Sequence, residues 1–186
     1  METISFWTKQ FLKKNNISFY FKEEAGSSND WAKEEAFKTL SSPTVFLVSH
    51  QNQGRGYGNK KWKDSDLMLS ILWEEKFSDI SLKVCGDFAV DLKQALQNTW
   101  PQLEFKVKAP NDLYLEREKL SGLLLEVLKQ GSQTALIVGL GLNVFSAPKD
   151  LRATYLAKYT QEINLQIWQS FLGDLIFYWS QRVKKL

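Results

Sequence analysis

One cysteine, Cys85, stands among the 186 residues, so no internal disulfide can staple this chain and a bridge-framed secreted scaffold is excluded. The opening Met-Glu-Thr-Ile-Ser has neither the basic start nor the apolar run of a secretory signal. Apolar runs such as Ala135 to Val144 fall far short of the roughly 20 residues a membrane helix requires. Long basic blocks are missing too: the net charge of +3 is spread over 24 basic and 21 acidic side chains, which argues against a nucleic-acid partner. Internal repeats, low-complexity tracts and Pro/Gly/Ser linkers are absent. A soluble, cytoplasmic protein without a membrane partner is expected. What the chain does have is 44% hydrophobic and 13% aromatic content, enough for one compact domain over residues 1–186.

The periodicities alternate between helix and strand. Ile4, Trp7, Phe11 and Leu12 predict a helix over Ile4 to Asn16, and Ile17 to Phe21 a strand. Small residues Ser27, Ser28 and Asn29 with early acids mark a second helix running through Phe37. Val45 to Ser49 and Leu67 to Trp73 read as strands; Val84, Phe88, Leu92 and Leu96, with Leu82, predict a helix over Ile80 to Gln97. Phe105 to Val107, Leu113 to Leu115, Leu123 to Leu128 and Ala135 to Val144 form a meander with a charged turn at Glu116 to Lys119. Ile163 to Trp179 traces the apolar face of a final helix ending at Lys184 and Lys185. The expected fold is α+β: a mixed, mostly antiparallel sheet with flanking helices.

Three segments carry chemistry. Between Gln51 and Ser65 lies a polar loop, expected to be the mobile functional segment, in which Gly54, Gly56 and Gly58 allow close backbone approach to an anion and Arg55, Lys60 and Lys61 add charge. It is no Walker loop, since no Gly-Lys-Ser/Thr follows. Lys108-Ala109-Pro110-Asn111-Asp112, with Lys119-Leu120-Ser121-Gly122 returning behind it, is turn chemistry that also places a carboxylate near an ammonium group. Gly139-Leu140-Gly141-Leu142-Asn143 ends a strand on an amide that both donates and accepts, as an adenine edge demands. It fails as a dinucleotide fingerprint, lacking the third glycine. The one histidine, His50, reads as a strand-end residue rather than a catalyst.

In this order the segments resemble the catalytic domain of the biotin-protein ligases, from about Ile17 to Leu175. Ser27-Ser28-Asn29 is similar to the family's Ser-Thr-Asn, and Gln51 with Gly54-Arg55-Gly56 and Trp62 to its glycine-rich loop. Pro110-Asn111-Asp112 with Lys119 to Gly122 resembles its Lys-Trp-Pro-Asn-Asp and Lys-Leu-Ala/Ser-Gly pair. Gly139 to Asn143 and Ala153-Thr154-Tyr155-Leu156 complete the match.

The resemblance implies a fold akin to class II aminoacyl-tRNA synthetases and lipoate ligases. It also implies an activity: biotin is activated with ATP and Mg²⁺ as biotinyl-AMP, then transferred to a lysine of the biotin carboxyl-carrier protein of acetyl-CoA carboxylase. Carried over by position, Ser27, Ser28, Asn29, Gln51, Gly54 and Gly56 would hold biotin, and Arg55 its carboxylate and the phosphate. Tyr57, Trp62, Lys108, Asn111, Lys119 and Asn143 would bind ATP or the adenylate. Arg55, Lys119 and Asp112 would be catalytic, Asp112 as proton acceptor or lysine positioner and as the residue nearest Mg²⁺. The alternatives are a lipoate or other acyl-protein ligase on the same fold, and a binding module that retains biotin or its adenylate without transfer.

Departures from the family pattern concern Tyr57, where many members have a second arginine, and Ala109, in place of tryptophan. Losing an arginine removes a charge-assisted contact, so the adenylate should be held more loosely. Tyr57→Arg is expected to slow biotinyl-adenylate release, and an unchanged release rate would count against that account. Neither the DNA-binding module of some members nor their small C-terminal β-barrel is expected within these residues, so repression is not anticipated; monomer and homodimer are both compatible.

Overall fold

The computed structural model describes residues 3–38, 42–58, 60–75, 77, 80 and 83–186. Leu82 of the predicted helix and Asn59 of the glycine-rich loop lie outside them. The elements are α1 (Ile4–Lys14), β1 (Ser18–Ala25), α2 (Ser28–Glu35), β2 (Thr44–Gln51), β3 (Leu67–Glu75), α3 (Lys83–Thr99), β4 (Phe105–Lys108), β5 (Asp112–Leu115), β6 (Glu118–Gln130), β7 (Gln133–Leu142) and α4 (Leu165–Val183). Between β7 and α4 runs a short 3-10 turn, Leu156–Lys158.

Seven strands make one sheet in the order β1-β2-β3-β7-β6-β5-β4. Only β1 with β2 is parallel; the other neighbours are antiparallel. The expected mixed, mostly antiparallel α+β fold is therefore borne out. β1 runs on to Ala25, past the predicted end at Phe21, because its polar second half is held by register with β2 through Glu24↔His50 and Ala25↔Gln51. An edge strand keeps its ladder while exposing polar side chains, and hydropathy alone does not register it. The charged turn is tighter than expected, with Glu116 at φ 56° and Glu118 and Lys119 already inside β6.

Strand alternation separates two faces. Leu67, Leu69, Ile71 and Trp73 of β3 and Leu136, Val138, Leu140 and Leu142 of β7 face the larger core, built with Phe88, Leu92 and Leu96 of α3 and Trp168, Phe171, Leu175 and Trp179 of α4. Buried indoles there find acceptors: Trp168 Nε1 donates to Thr8 Oγ1 at 3.0 Å and Trp179 Nε1 to the Phe88 carbonyl at 3.2 Å. Arg182 locks α4 to α3 through two bonds to Asp91 at 2.9 and 2.8 Å. On the opposite face Trp31 and Ala32 of α2, with Ala36 just after it, cover a smaller cluster of Phe46, Val48, Leu72, Ala135 and Ile137. The remainder of that face is where the cavity forms.

Candidate active site

Over the uncovered face lies a cavity of about 610 Å³. Its floor is glycine because β6 and β7 put Gly122 opposite Gly141 and Leu124 opposite Gly139. The repeat Gly139-Leu140-Gly141-Leu142 thus sends leucines to the core and bare backbone to the site. A β-carbon on Gly141 would fall inside the Trp62 indole, one on Gly122 would sit 2.8 Å from its Cζ3, and one on Gly139 would collide with Asn29 Oδ1.

The glycine-rich segment is a polar loop, as expected, whose two flanks pair with each other. Trp62 N–H donates to the Gly54 carbonyl at 2.9 Å, Gly56 N–H to the Lys60 carbonyl at 2.8 Å, and Arg55 bridges Lys61. Glycine is required at position 54, where a β-carbon would be 2.5 Å from the Trp62 carbonyl oxygen. The Gly56 N–H is therefore committed within the hairpin. Asp64 fastens its base, accepting from Gln51 N–H at 2.8 Å and facing His50 Nδ1 at 2.8 Å. That hydrogen bond raises the His50 pKa above its ordinary 6.5. Tyr57 stands at the tip, 51% exposed, and Lys63 pairs with Asp150 across the mouth.

At the α2 end, the helix starts at Ser28, one residue after Ser27, whose side chain makes no capping bond. Gln51 Oε1 instead accepts the Ser28 N–H at 2.7 Å. Buried Ser70 lies 2.8 Å from Ser28 Oγ and 2.5 Å from Asn29 Oδ1. Since Asn29 Oδ1 can only accept, Ser70 donates to it and receives from Ser28. Asn29 Nδ2 donates to the Leu124 carbonyl at 3.1 Å and to Glu126 Oε2 at 2.8 Å, so both its amide hydrogens are committed.

Two cations stand in the middle, each already paired. Arg55 Nη2 contacts Glu126 Oε2 at 2.6 Å and Asp30 Oδ1 at 2.8 Å. Burial lowers the Arg55 pKa but the two carboxylates outweigh it, so the net direction is up. Lys119 Nζ lies 2.6 Å from Asp112 Oδ1 and 5.2 Å from the centre of the Trp62 ring, the juxtaposition the hairpin predicted. Lys108 Nζ reaches Tyr114 Oη at 3.3 Å on the rim. Asn111 is bound to β6 by Nδ2 to the Leu123 carbonyl at 2.6 Å.

At the far end Asn143 is 2% exposed. Its Nδ2 donates to the Thr154 carbonyl at 3.0 Å, while its buried Oδ1 has no partner. Because a carbonyl only accepts, the amide orientation is forced and the orphan is an acceptor. The Ala-Thr-x-Leu segment makes this arrangement: Lys119 N–H donates to the Arg152 carbonyl at 3.2 Å and Thr154 N–H to the Lys119 carbonyl at 2.9 Å. Asp66 Oδ2 gathers the N–H groups of Val144, Phe145 and Ser146 at 2.9 to 3.1 Å, shaping the turn after Asn143.

Every residue expected at the site lines this cavity except Gly54, which lines a neighbouring one. Sequence reasoning missed Ser70, Asp30, Asp66 and Glu126. Glu126 carried a signal, as the one acid within the apolar run Leu123 to Leu128. Among the described residues no group of three or more His, Cys, Asp or Glu could hold a metal ion, and no helix is long and apolar enough to cross a membrane.

The glycine-floored cavity, with paired cations in its middle and an orphan amide acceptor at one end, has the chemistry to receive an anionic small molecule. Residues 23–143 match the biotin/lipoate A/B protein ligase family, and the chain belongs to it. It is 29% identical over 110 residues to the bifunctional ligase/repressor BirA of Escherichia coli, covering 56% of this chain and 34% of that protein. To the biotin–[acetyl-CoA-carboxylase] ligase of Mycobacterium tuberculosis it is 28% identical over 116 residues, 58% of this chain and 41% of the relative. The matches thus span about a third to two fifths of these curated relatives. A solved biotin protein ligase from Aquifex aeolicus, in complex with biotin and ATP, superposes with a TM-score of 0.71 at 26% identity, covering 90% of this chain and 71% of that one.

Proposed function

We propose that this chain is a biotin-protein ligase that forms biotinyl-AMP from biotin and Mg-ATP and transfers biotin to a carrier lysine. The observation that carries the reading is one continuous cavity joining the Ser28 and Gln51 end to the orphan Asn143 acceptor, with Arg55 and Lys119 between. Similarity to biotin ligases supports biotin as the acid.

In the first half-reaction a carboxylate oxygen attacks the α-phosphorus, a P–O bond forms and pyrophosphate leaves. The obstacle is anion meeting anion, which fixed cations relieve without reorganising. Arg55 and Lys119 fill that role, and Lys108 extends the charge along the rim. Mg²⁺ comes as part of the nucleotide substrate; Asp112, the one carboxylate that lines the cavity among the described residues, already partners Lys119. In the second half-reaction a carrier lysine, deprotonated, attacks the acyl carbon and AMP leaves. Asp112 accepts the proton that the lysine gives up, or positions its amine.

The orphan Oδ1 of Asn143 suits the exocyclic amino group of adenine and opposes the carbonyl of guanine. Asn143→Ala removes it and strands the Thr154 carbonyl, so the KM for ATP should rise roughly tenfold and the preference over GTP should shrink. Steady-state kinetics with both nucleotides checks this; an unchanged preference would detach Asn143 from the base.

The deciding experiment is exchange of labelled pyrophosphate into ATP, with biotin, lipoate and octanoate as alternative acids. Exchange with biotin alone sustains the proposal, and exchange with lipoate alone moves the chain to the lipoate branch of its family. Tight biotin binding without exchange would leave a binding module.

A further inference from the structure

Glu126 joins α2 and the glycine-rich segment to β6 beside the cavity. It projects from β6 next to the glycine floor, with its side chain 20% exposed, and collects three donors: Asn29 Nδ2 at 2.8 Å, Lys33 Nζ at 3.0 Å and Arg55 Nη2 at 2.6 Å. Those donors come from α2 and from the glycine-rich hairpin, segments with no strand ladder between them. Burial pushes the Glu126 carboxyl up, yet the bonds from Arg55, Asn29 and Lys33 outweigh it and hold it below its ordinary range. Asp30 Oδ1 completes a square, 2.8 Å from Arg55 Nη2 and 2.9 Å from Lys33 Nζ.

The way Arg55 is gripped matters for chemistry. Both carboxylates take the same nitrogen, Nη2, and Nε is left buried without an acceptor. A guanidinium is a rigid plane, so fixing one corner fixes the direction of the others. An unsatisfied buried donor is costly, and an oxygen that reaches it relieves that cost. We infer that Glu126 is a positioning residue: it holds Arg55 by Nη2 and Asn29 by Nδ2, so that the remaining Arg55 donors meet the anionic group of the ligand. This rests on the ligase reading above, in which that group is the carboxylate or the phosphate of the adenylate. Asp30, more exposed than Glu126, is the partner that yields when the ligand arrives.

The test compares wild type, E126Q, E126D, R55A and the E126Q/R55A double variant in biotin-dependent pyrophosphate exchange, with thermal melts alongside. E126Q keeps size and removes charge; its kcat should fall about tenfold or more, with a smaller change in KM for the acid. E126D, which keeps the charge, should recover part of the loss. If Glu126 acts through Arg55, the double variant is no slower than R55A alone, because the two effects share one path. A double variant slower by the product of the single effects, or E126Q at the wild-type rate, overturns the inference. A second readout needs no turnover: the Arg55 Nε–H resonance, assigned by its loss in R55A, should be sharp and slow to exchange in wild type and E126D and lost in E126Q. Should wild type show no exchange with any acid, the ligase reading falls by itself. Glu126 is then judged by that resonance, whose persistence unchanged in E126Q would overturn its role.

Discussion

Replacing Lys119 with alanine is expected to slow both half-reactions by roughly a hundred- to a thousandfold, the usual loss when one fixed group facing developing charge is removed. Its Nζ is held from two sides, by Asp112 at 2.6 Å and by the Trp62 ring face, and its backbone is clamped by Arg152 and Thr154. The charge therefore stands in place before any ligand arrives. The variant also leaves Asp112 without its partner, so transfer should suffer together with adenylation. Single-turnover rates of adenylate formation and of transfer to a carrier, with a melting curve to show that the chain still folds, make the measurement. Wild-type rates in both would remove Lys119 from the chemistry.

Gly141→Ala should be the most damaging small substitution. Its β-carbon would occupy the space of the Trp62 indole, and the backbone cannot retreat because Gly141 is paired with Met68 on one side and Gly122 on the other. The indole must leave, and with it the root of the hairpin that carries Arg55. Overpacking of this kind costs about 1–3 kcal/mol, which for a chain of this size lowers Tm by roughly 2–4 °C per kcal/mol. Biotin binding should weaken as well. Calorimetric melting and titration with biotin read both effects, and combining Gly141→Ala with Trp62→Ala should restore stability without restoring binding. If the single variant melts and binds as wild type does, the indole is not the anchor described.

The sequence made most of this legible where a residue type has few alternatives. Glycines at positions 139 and 141 announced a strand end leading to the amide of Asn143, and Asp112 with Lys119 announced a carboxylate meeting an ammonium group across a hairpin. Hydropathy placed the core strands within a few residues of their observed ends. What stayed hidden depended on contacts distant in sequence. Ser70 reads as one polar residue in an apolar strand until α2 places Ser28 and Asn29 over it. The hairpin looked like a polar loop because its order comes from Trp62 docking on glycines about 60 and 79 residues away. The second half of β1 was invisible for the opposite reason: its order is backbone pairing, to which side-chain pattern is indifferent.

β6 carries Lys119 near one end and Glu126 towards the other, with Gly122 and Leu124 between them on the same cavity. At about 3.3 Å per residue the stretch from Ser121 onward acts as a ruler laid along the cavity, its graduations fixed by pairing with β7, while Lys119 stands just before it across a register shift against β5. A length standard of that kind cannot be recalibrated by changing one side chain. Inserting or deleting a residue between Gly122 and Glu126 would turn every later mark to the opposite face of the sheet, so the spacing of Glu126 from the glycine floor is a property of the backbone register itself.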